Sequence, residues 1–319
     1  MEKGKDMQMM QAIRFHDYGD IDVLVFEQAP IPEPRDEDVL IRVHATSVNP
    51  IDWKIRAGYL KGWLDFPLPW ILGLDVSGTV VGKGSAVTQF SVGDEVMARG
   101  ELLRSGAYAE FTVVKAEHVV AKPMKLTHLE AGATPQGTVT AWNVLVKTCQ
   151  VSSGQTVLIH GAAGGVGTFA VQIAKHFGAK VIATASPNNH EFLRSLGADE
   201  LIDYTAVRFE DAVKPVDIVF DTIGGETLQR SFSVVKPGGY LVSVVETPSQ
   251  ELAEARGIKA KLVSADVSQE ILREIARLIE AGKIKVVVSA VFPLSEIKKA
   301  HALSESMHTR GKIGISIID

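Results

Sequence analysis

The chain has 319 residues, 46% of them hydrophobic and 22% charged, and a formal charge of -5. That is globular composition with length for two domains. It excludes the basic face of a nucleic-acid binder, and no apolar run is long enough to cross a bilayer. A single cysteine, Cys149, excludes an internal disulfide and a cluster of thiolate zinc ligands. The first ten residues, MEKGKDMQMM, lack the apolar segment of a signal peptide and read as a flexible extension. A reducing, cytoplasmic compartment is expected.

The first third reads as β structure. Residues 12–15, 38–45, 75–81, 95–98 and 107–114 are rich in Val, Ile and Thr and are punctuated by Gly and Pro. The run PIPEP at 30–34 is a connection. No clear amphipathic helix is predicted before about residue 127. Cys149 is expected to be a buried helix residue with no activating base.

The middle alternates. Strands are predicted at 156–160, 180–185, 201–202, 216–220, 239–245 and 260–263, and helices at 166–177, 189–196 and 226–234. Ala170, Ile173, Ala174 and Phe177 share one face of the first helix. Apolar strands alternating with helices imply a parallel sheet covered on both faces. In the tail, Ile271, Leu272, Ile275, Leu278 and Ile279 make a one-sided helix over 269–280, with Gly282 placed for a left-handed cap. Segments 286–291, 295–304 and 312–318 mix strand and helix. Composition leaves open whether the tail completes the α/β domain or returns to the first.

The stretch HGAAGGVGTFA at 160–170 follows a predicted strand and opens a helix. A helix start presents unpaired N–H groups and a positive dipole end, and a pyrophosphate fits there if no β-carbon obstructs it. Gly164, Gly165 and Val166 would line that approach, and Gly167 would let the helix pack on the strand. The spacing is G-x-x-G-G-x-G, and a tight turn holding no ligand is the plainer alternative. Within a strand–loop–helix–strand unit, a dinucleotide is favoured.

An acid at the tip of the second strand would bind ribose hydroxyls and repel a 2′-phosphate. Here the strand ends ATAS at 183–186, with Thr184 and Ser186 and no Asp or Glu. Ser186 is a hydrogen-bond donor. His190 and Arg194 follow on the next helix, although Arg194 reads more simply as a solvated charge. NADPH is favoured over NADH.

At this point the chain resembles the medium-chain dehydrogenase/reductase superfamily, more closely its zinc-free quinone oxidoreductase, ζ-crystallin-like branch. The matching pieces run in the family's order: SVNPIDWKIRAG (47–58), PWILGLDVSGTV (69–80), FSVGDEV (90–96), GAYAEF (106–111), the glycine loop, LGADELIDY (196–204), DTIGG (221–225), GGYLVSV (238–244) and RGKIGISI (310–317). The resemblance implies an α/β protein: a Rossmann-type doubly wound sheet over residues 131–265, and a GroES-like β-barrel catalytic domain from 1–130 and 266–319. Zinc-bearing relatives carry a cysteine where Asn49 stands, Gly-His-Glu where Gly73, Leu74 and Asp75 stand, and a second cysteine near 134–138. Leu74 is no ligand, no cysteine lies at 134–138, and no metal is expected.

Without a metal to polarise a carbonyl, acceptors must already be prone to take hydride: quinones and α,β-unsaturated ketones or aldehydes. The resemblance places Asn49 beside the nicotinamide, bonding ribose or substrate oxygen; an Asx-type turn before Pro50 explains it equally. Asp52 lies near the site, more as a structural acceptor than as a catalytic group. Tyr59 is a candidate proton donor, or a pocket wall with Trp63, Phe66 and Trp70. Thr138 is placed near the nicotinamide, and helix capping explains it as well. Tyr204 matches a residue that contacts the 2′-phosphate in related reductases; a half-buried strand-end tyrosine is the alternative. Several relatives carry a lysine just after the second strand. Here the sequence is PNNH, so Asn189 or His190 must substitute, and a charged His190 would lose phosphate affinity on deprotonation. Ile223, Val244 and Val245 would flank ribose and nicotinamide, or are plain core.

The leading expectation is an NADPH-dependent reductase of quinones or enones. An enoyl-thioester reductase, and a crystallin-like nucleotide-binding protein without turnover, are the alternatives. No nucleic-acid or membrane partner is expected. A homodimer is expected through the sheet edge near 260–263.

Overall fold

The computed structural model describes residues 8–104 and 106–318. They fall into two compact units. The first takes the described residues up to Gln136, then Val267–Glu280 and those from Val288 onward; the second takes Gly137–Asp266 and Ala281–Val287. This differs from a division at residues 130 and 266 in two short pieces: residues 131–136 fall in the first unit and Ala281–Val287 in the second.

In the first unit a seven-stranded sheet runs in the order Val288–Pro293, Lys312–Ser316, Asp38–Val48, Asp75–Lys83, Glu95–Arg99, Val119–Ala121, with Phe111–Lys115 also paired to Asp38–Val48. A three-stranded sheet orders Leu24–Pro30, Met9–Phe15, Trp70–Ile71. Alternation along Asp38–Val48 turns Val39, Ile41 and Val43 into a core with Val76, Val80, Val96 and Val114. Ile313 pairs with Val48, and this register brings the Lys312 side of the closing strand to Asn49.

Of the extension expected over residues 1–10, residues 1–7 lie outside the described residues. Met9 and Met10 are strand instead, because Met10 is buried with Ala12, Ala29 and Ala109. The expectation of no helix before residue 127 is also corrected: Pro50–Arg56 is α-helical. Pro50 sits at its start, where a missing N–H costs nothing, and Asp52 Oδ2 accepts the Asn49 N–H at 2.8 Å. Seven residues are too few for a helical period to show.

The second unit is built on six parallel strands in the order Glu200–Ile202, Lys180–Thr184, Thr156–Ile159, Val216–Asp221, Val235–Ser243, Lys259–Leu262. Chain order reverses between Thr156–Ile159 and Val216–Asp221, the switch point at which such sheets open a crevice beyond their strand ends. Leu158, Val219, Leu228, Phe232 and Leu241 fill one face. The helix Gly167–His176 buries Phe169, Ala170, Ile173 and Ala174; Phe177, expected among them, is half-buried edge-on to Trp142. The helix Gln250–Arg256 was not predicted because only Ala253 is buried, leaving no apolar stripe.

The tail is divided, with Val267–Glu280 and the described residues from Val288 in the first unit and Ala281–Val287 in the second. The helix Gln269–Glu280 buries the five predicted residues, and Gly282 adopts φ 69°. Among the described residues no helix is long and apolar enough to cross a membrane.

Candidate active site

In the second unit, Thr156–Ile159 ends at His160. Its buried imidazole lies 3.0 Å from Thr184 Oγ1 and 3.1 Å from Ser231 Oγ. Burial, and then Arg230, push its pKa down to about 3, so a neutral ring ties two strand ends to a helix. Gly161 has φ 68°, and a β-carbon there would lie 2.3 Å from Thr222 Oγ1. A β-carbon on Gly167 would lie 2.4 Å from the Gly161 carbonyl oxygen, so glycine is required where the helix passes the loop. Gly164 differs: the nearest atom to its β-carbon would be the Gly161 oxygen at 3.3 Å. Val166 opens the helix with no side-chain cap. A loop stripped of side chains at a helix mouth fits a pyrophosphate.

The remaining residues read from sequence as cofactor ligands lie past other strand ends, with two qualifications. Thr184 is buried, with its hydroxyl against His160. Thr138 is buried within the helix Pro135–Trp142, where neighbouring Gly137 would place a β-carbon 2.7 Å from the Gly165 carbonyl oxygen. Ser186 is half-buried and accepts from Asn189 Nδ2 at 3.2 Å. His190 Nε2 lies 3.1 Å from the Ala185 carbonyl and donates to it. Tyr204 is 55% exposed rather than half-buried. Next to it, Asp203 accepts from the Thr205 hydroxyl and N–H, which keep its carboxyl below its ordinary range, with a smaller contribution from His190. Buried Asp221 accepts from the N–H groups of Ile223 and Gly224 and from Ser243 Oγ. The turn it shapes leaves Ile223 50% exposed, while Val244 is half-buried and Val245 exposed, so these three are not core.

The first unit holds a different construction. Asp75, fully buried, accepts from Ser47 Oγ, from Asn49 Nδ2 at 2.9 Å and from Lys312 Nζ at 3.1 Å. Lys312 Nζ also donates to Asn49 Oδ1. Thus the Asn49 carboxamide bridges an ammonium and a carboxylate, while Asn49 and Asp52 also form the capping box at the helix start. Asp52 Oδ2 accepts from the Asn49 N–H and from Tyr108 Oη at 3.0 Å, while Asp52 Oδ1 is buried without a partner. Burial raises the Asp52 carboxyl to about 7, against the pull of its donors.

Tyr59 does not join this cluster. It follows the end of the helix Pro50–Arg56 across Gly58, at φ 85°, and stands 70% exposed, edge-on to Trp53. The four aromatics expected as one wall separate: Phe66 packs on Trp70, and Trp63 is exposed. Cys149 is buried, which raises its thiol to about 12.

Sequence reasoning missed Lys312, Ser47, Tyr108 and Gly137. Lys312 carried a signal, a charge inside the otherwise apolar strand KIGIS. The others carried none, since they meet Asn49, Asp52 or the loop only after folding.

Known proteins complete the picture. Residues 35–124 match the family described as alcohol dehydrogenase GroES-like domain, and residues 196–314 match zinc-binding dehydrogenase. A relative from Arabidopsis thaliana, an NADPH-dependent alkenal/one oxidoreductase of the chloroplast, is 38% identical over 95% of this chain and 78% of its own length. The quinone oxidoreductase of Coxiella burnetii superposes with a TM-score of 0.91 at 36% identity, covering 98% of this chain and 100% of that one. The Escherichia coli quinone oxidoreductase, solved in complex with NADPH, gives a TM-score of 0.88 at 27% identity, covering 96% of this chain and 100% of that one. The chain belongs to the medium-chain dehydrogenase/reductase superfamily, in its quinone oxidoreductase branch, and is an oxidoreductase of that type.

The family description raises zinc. Leu74 offers no ligand atom, and Asp75 is bonded to Lys312, Ser47 and Asn49. Among the described residues, no group of three or more His, Cys, Asp or Glu is placed to hold a metal. These residues do not fit a catalytic zinc.

Proposed function

We propose that the protein is an NADPH-dependent reductase of quinones and α,β-unsaturated ketones or aldehydes that works without a metal. The observation that carries this reading is the glycine loop, where Gly161 and Gly167 admit no β-carbon and Gly164 only a tightly fitted one, at a helix mouth without a side-chain cap at the switch point of the sheet. Bound NADPH supplies a hydride, and a proton from solvent completes either a hydroquinone or a saturated carbonyl. The loop's N–H groups hold the pyrophosphate. Ser186, His190 and Tyr204 receive the 2′-phosphate, at a strand tip that carries no carboxylate of its own. Ile223, Val244 and Val245 offer apolar surface to ribose and nicotinamide. Conjugated acceptors suit such a protein, because positioning rather than Lewis acidity must lower the barrier.

A homodimer through the edge strand Lys259–Leu262 is part of the proposal, since an unpaired edge invites a second copy. A cytoplasmic location is proposed from composition alone.

The test follows loss of NADPH absorbance with a quinone, an enone and a crotonyl thioester. Turnover of the first two is expected. Turnover of the thioester alone would favour an enoyl-thioester reductase, and saturable binding without turnover of any acceptor would favour a nucleotide-binding protein.

A further inference from the structure

In the second unit the strand Lys180–Thr184 runs out into Ala185 and Ser186. Ala185 donates its N–H to the Ile202 carbonyl at 3.1 Å, so the neighbouring strand ends alongside, with Asp203 and Tyr204 next in the chain. His190 Nε2 lies 3.1 Å from the Ala185 carbonyl oxygen. A carbonyl only accepts, so the hydrogen of the neutral ring sits on Nε2, and Nδ1 carries a lone pair. Nδ1 has no hydrogen-bond partner among the described residues. Protonation leaves the bond to Ala185 in place, adds a charge and turns Nδ1 from acceptor to donor. Ser186 is a constant donor nearby, since its oxygen accepts from Asn189 Nδ2 at 3.2 Å and its own hydrogen remains to give. The charged groups around the ring are Asp203, whose carboxylate senses it from the neighbouring strand end, and Glu191 and Arg194 on its own helix.

We infer that the protonation state of His190 selects the cofactor: the charged ring gives Nδ1–H to the 2′-phosphate of NADPH, and the neutral ring offers the same nitrogen as an acceptor to the 2′-hydroxyl of NADH. An NADH-dependent activity therefore gains on the NADPH-dependent one as pH rises. Asp203 works in the same direction, because a neutral ring leaves its carboxylate uncompensated against a phosphate. A lysine in this place would stay charged and donate throughout the neutral range, and could not make the exchange. The inference deepens the proposed function and rests on the dinucleotide reading of the second unit.

The test is calorimetric titration of NADPH and of NADH, from pH 6 to pH 9, into wild type, His190→Lys and His190→Gln. Thermal melting reports folding separately, and steady-state kinetics with a quinone repeats the comparison in turnover. The quantity read is the preference for NADPH, the ratio of the two dissociation constants. In wild type it is expected to fall about tenfold across the range, the scale of one charge-assisted hydrogen bond. The 2′-phosphate has its own titration at about pH 6, common to all three proteins, so the fall is read against the variants. Above pH 7, His190→Lys is expected to hold its preference within twofold, and His190→Gln to stay at the low ratio that wild type reaches at pH 9. A wild-type ratio that runs parallel to that of His190→Gln overturns the inference. So does a His190→Lys ratio that falls as wild type does. If wild type takes up neither nucleotide, the dinucleotide reading fails instead.

Discussion

The glycine loop of the second unit and the polar cluster of the first solve opposite problems. The loop is main chain with side chains removed: Gly161 and Gly167 are required by contacts of 2.3 and 2.4 Å, and a β-carbon on Gly164 would fit tightly at 3.3 Å. The cluster is all side chain, drawn from Ser47, Asn49, Asp52, Asp75, Tyr108 and Lys312, each bonded to another member. A backbone cradle is tolerant of sequence but intolerant of volume. A side-chain network is the reverse, since isosteric changes fit its space yet disturb its charges. The two regions should therefore fail differently when altered.

The largest effect is expected at Gly167. Its replacement by Val drives carbon into the Gly161 carbonyl and Ala162 backbone, at a cost of about 3 kcal/mol or more. Thermal melting should show the loss, and cofactor binding should go with it. A Gly167→Val protein with unchanged melting would break the volume half of the comparison.

Asp52 probes the charge half. Its carboxyl is held near about 7 against an ordinary 3.8, mainly by burial. The folded protein therefore keeps a proton that the unfolded chain has released, and stability falls as pH rises between about 4 and 7. Asp52→Asn retains an oxygen for the Asn49 N–H and the Tyr108 hydroxyl but removes the titration. It should change stability little at pH 4 and raise it at pH 8 relative to wild type, by about 1 kcal/mol or more. Denaturant melts at the two pH values check this; equal differences at both would contradict it.

His160 has the opposite sign. Its pKa of about 3 lies below the ordinary 6.5, so the unfolded chain takes up a proton that the folded ring refuses. Stability is full above pH 6.5 and is lost as pH falls toward 3, by at most about 1.4 kcal/mol per pH unit. His160→Asn should flatten that slope without abolishing it, because buried His301 is depressed to about 3 in the same way. An unaltered acid slope would show that His160 is not held neutral.

The same contrast explains what could be read from the chain. Strands, helices and the glycine loop were legible because each is local: Gly161 to Gly167 stand within seven residues, and the apolar stripe of Gln269–Glu280 repeats over three turns. The helix Pro50–Arg56 was missed because it is shorter than the signal used to find helices. Asn49 and Asp52 were found only through the family pattern, and their geometry was not legible at all. It depends on Lys312, 263 residues away in sequence and brought to Asn49 by the pairing of Ile313 with Val48. Tyr59 looked chemical in the sequence, but the turn at Gly58 carries it outward.

Gly164 gives the most direct test of the central claim, because a methyl group there meets the Gly161 carbonyl oxygen at 3.3 Å, tight but short of a clash, yet would stand in the path of a bound pyrophosphate. NADPH should be titrated calorimetrically into wild type and Gly164→Ala, with melting temperatures recorded for both. Saturable heat with wild type, at least tenfold weaker binding by the variant and melting within a few degrees are the expected results. A variant that binds as tightly as wild type, or a wild type that gives no heat with either NADPH or NADH, would contradict the claim that this backbone holds the cofactor.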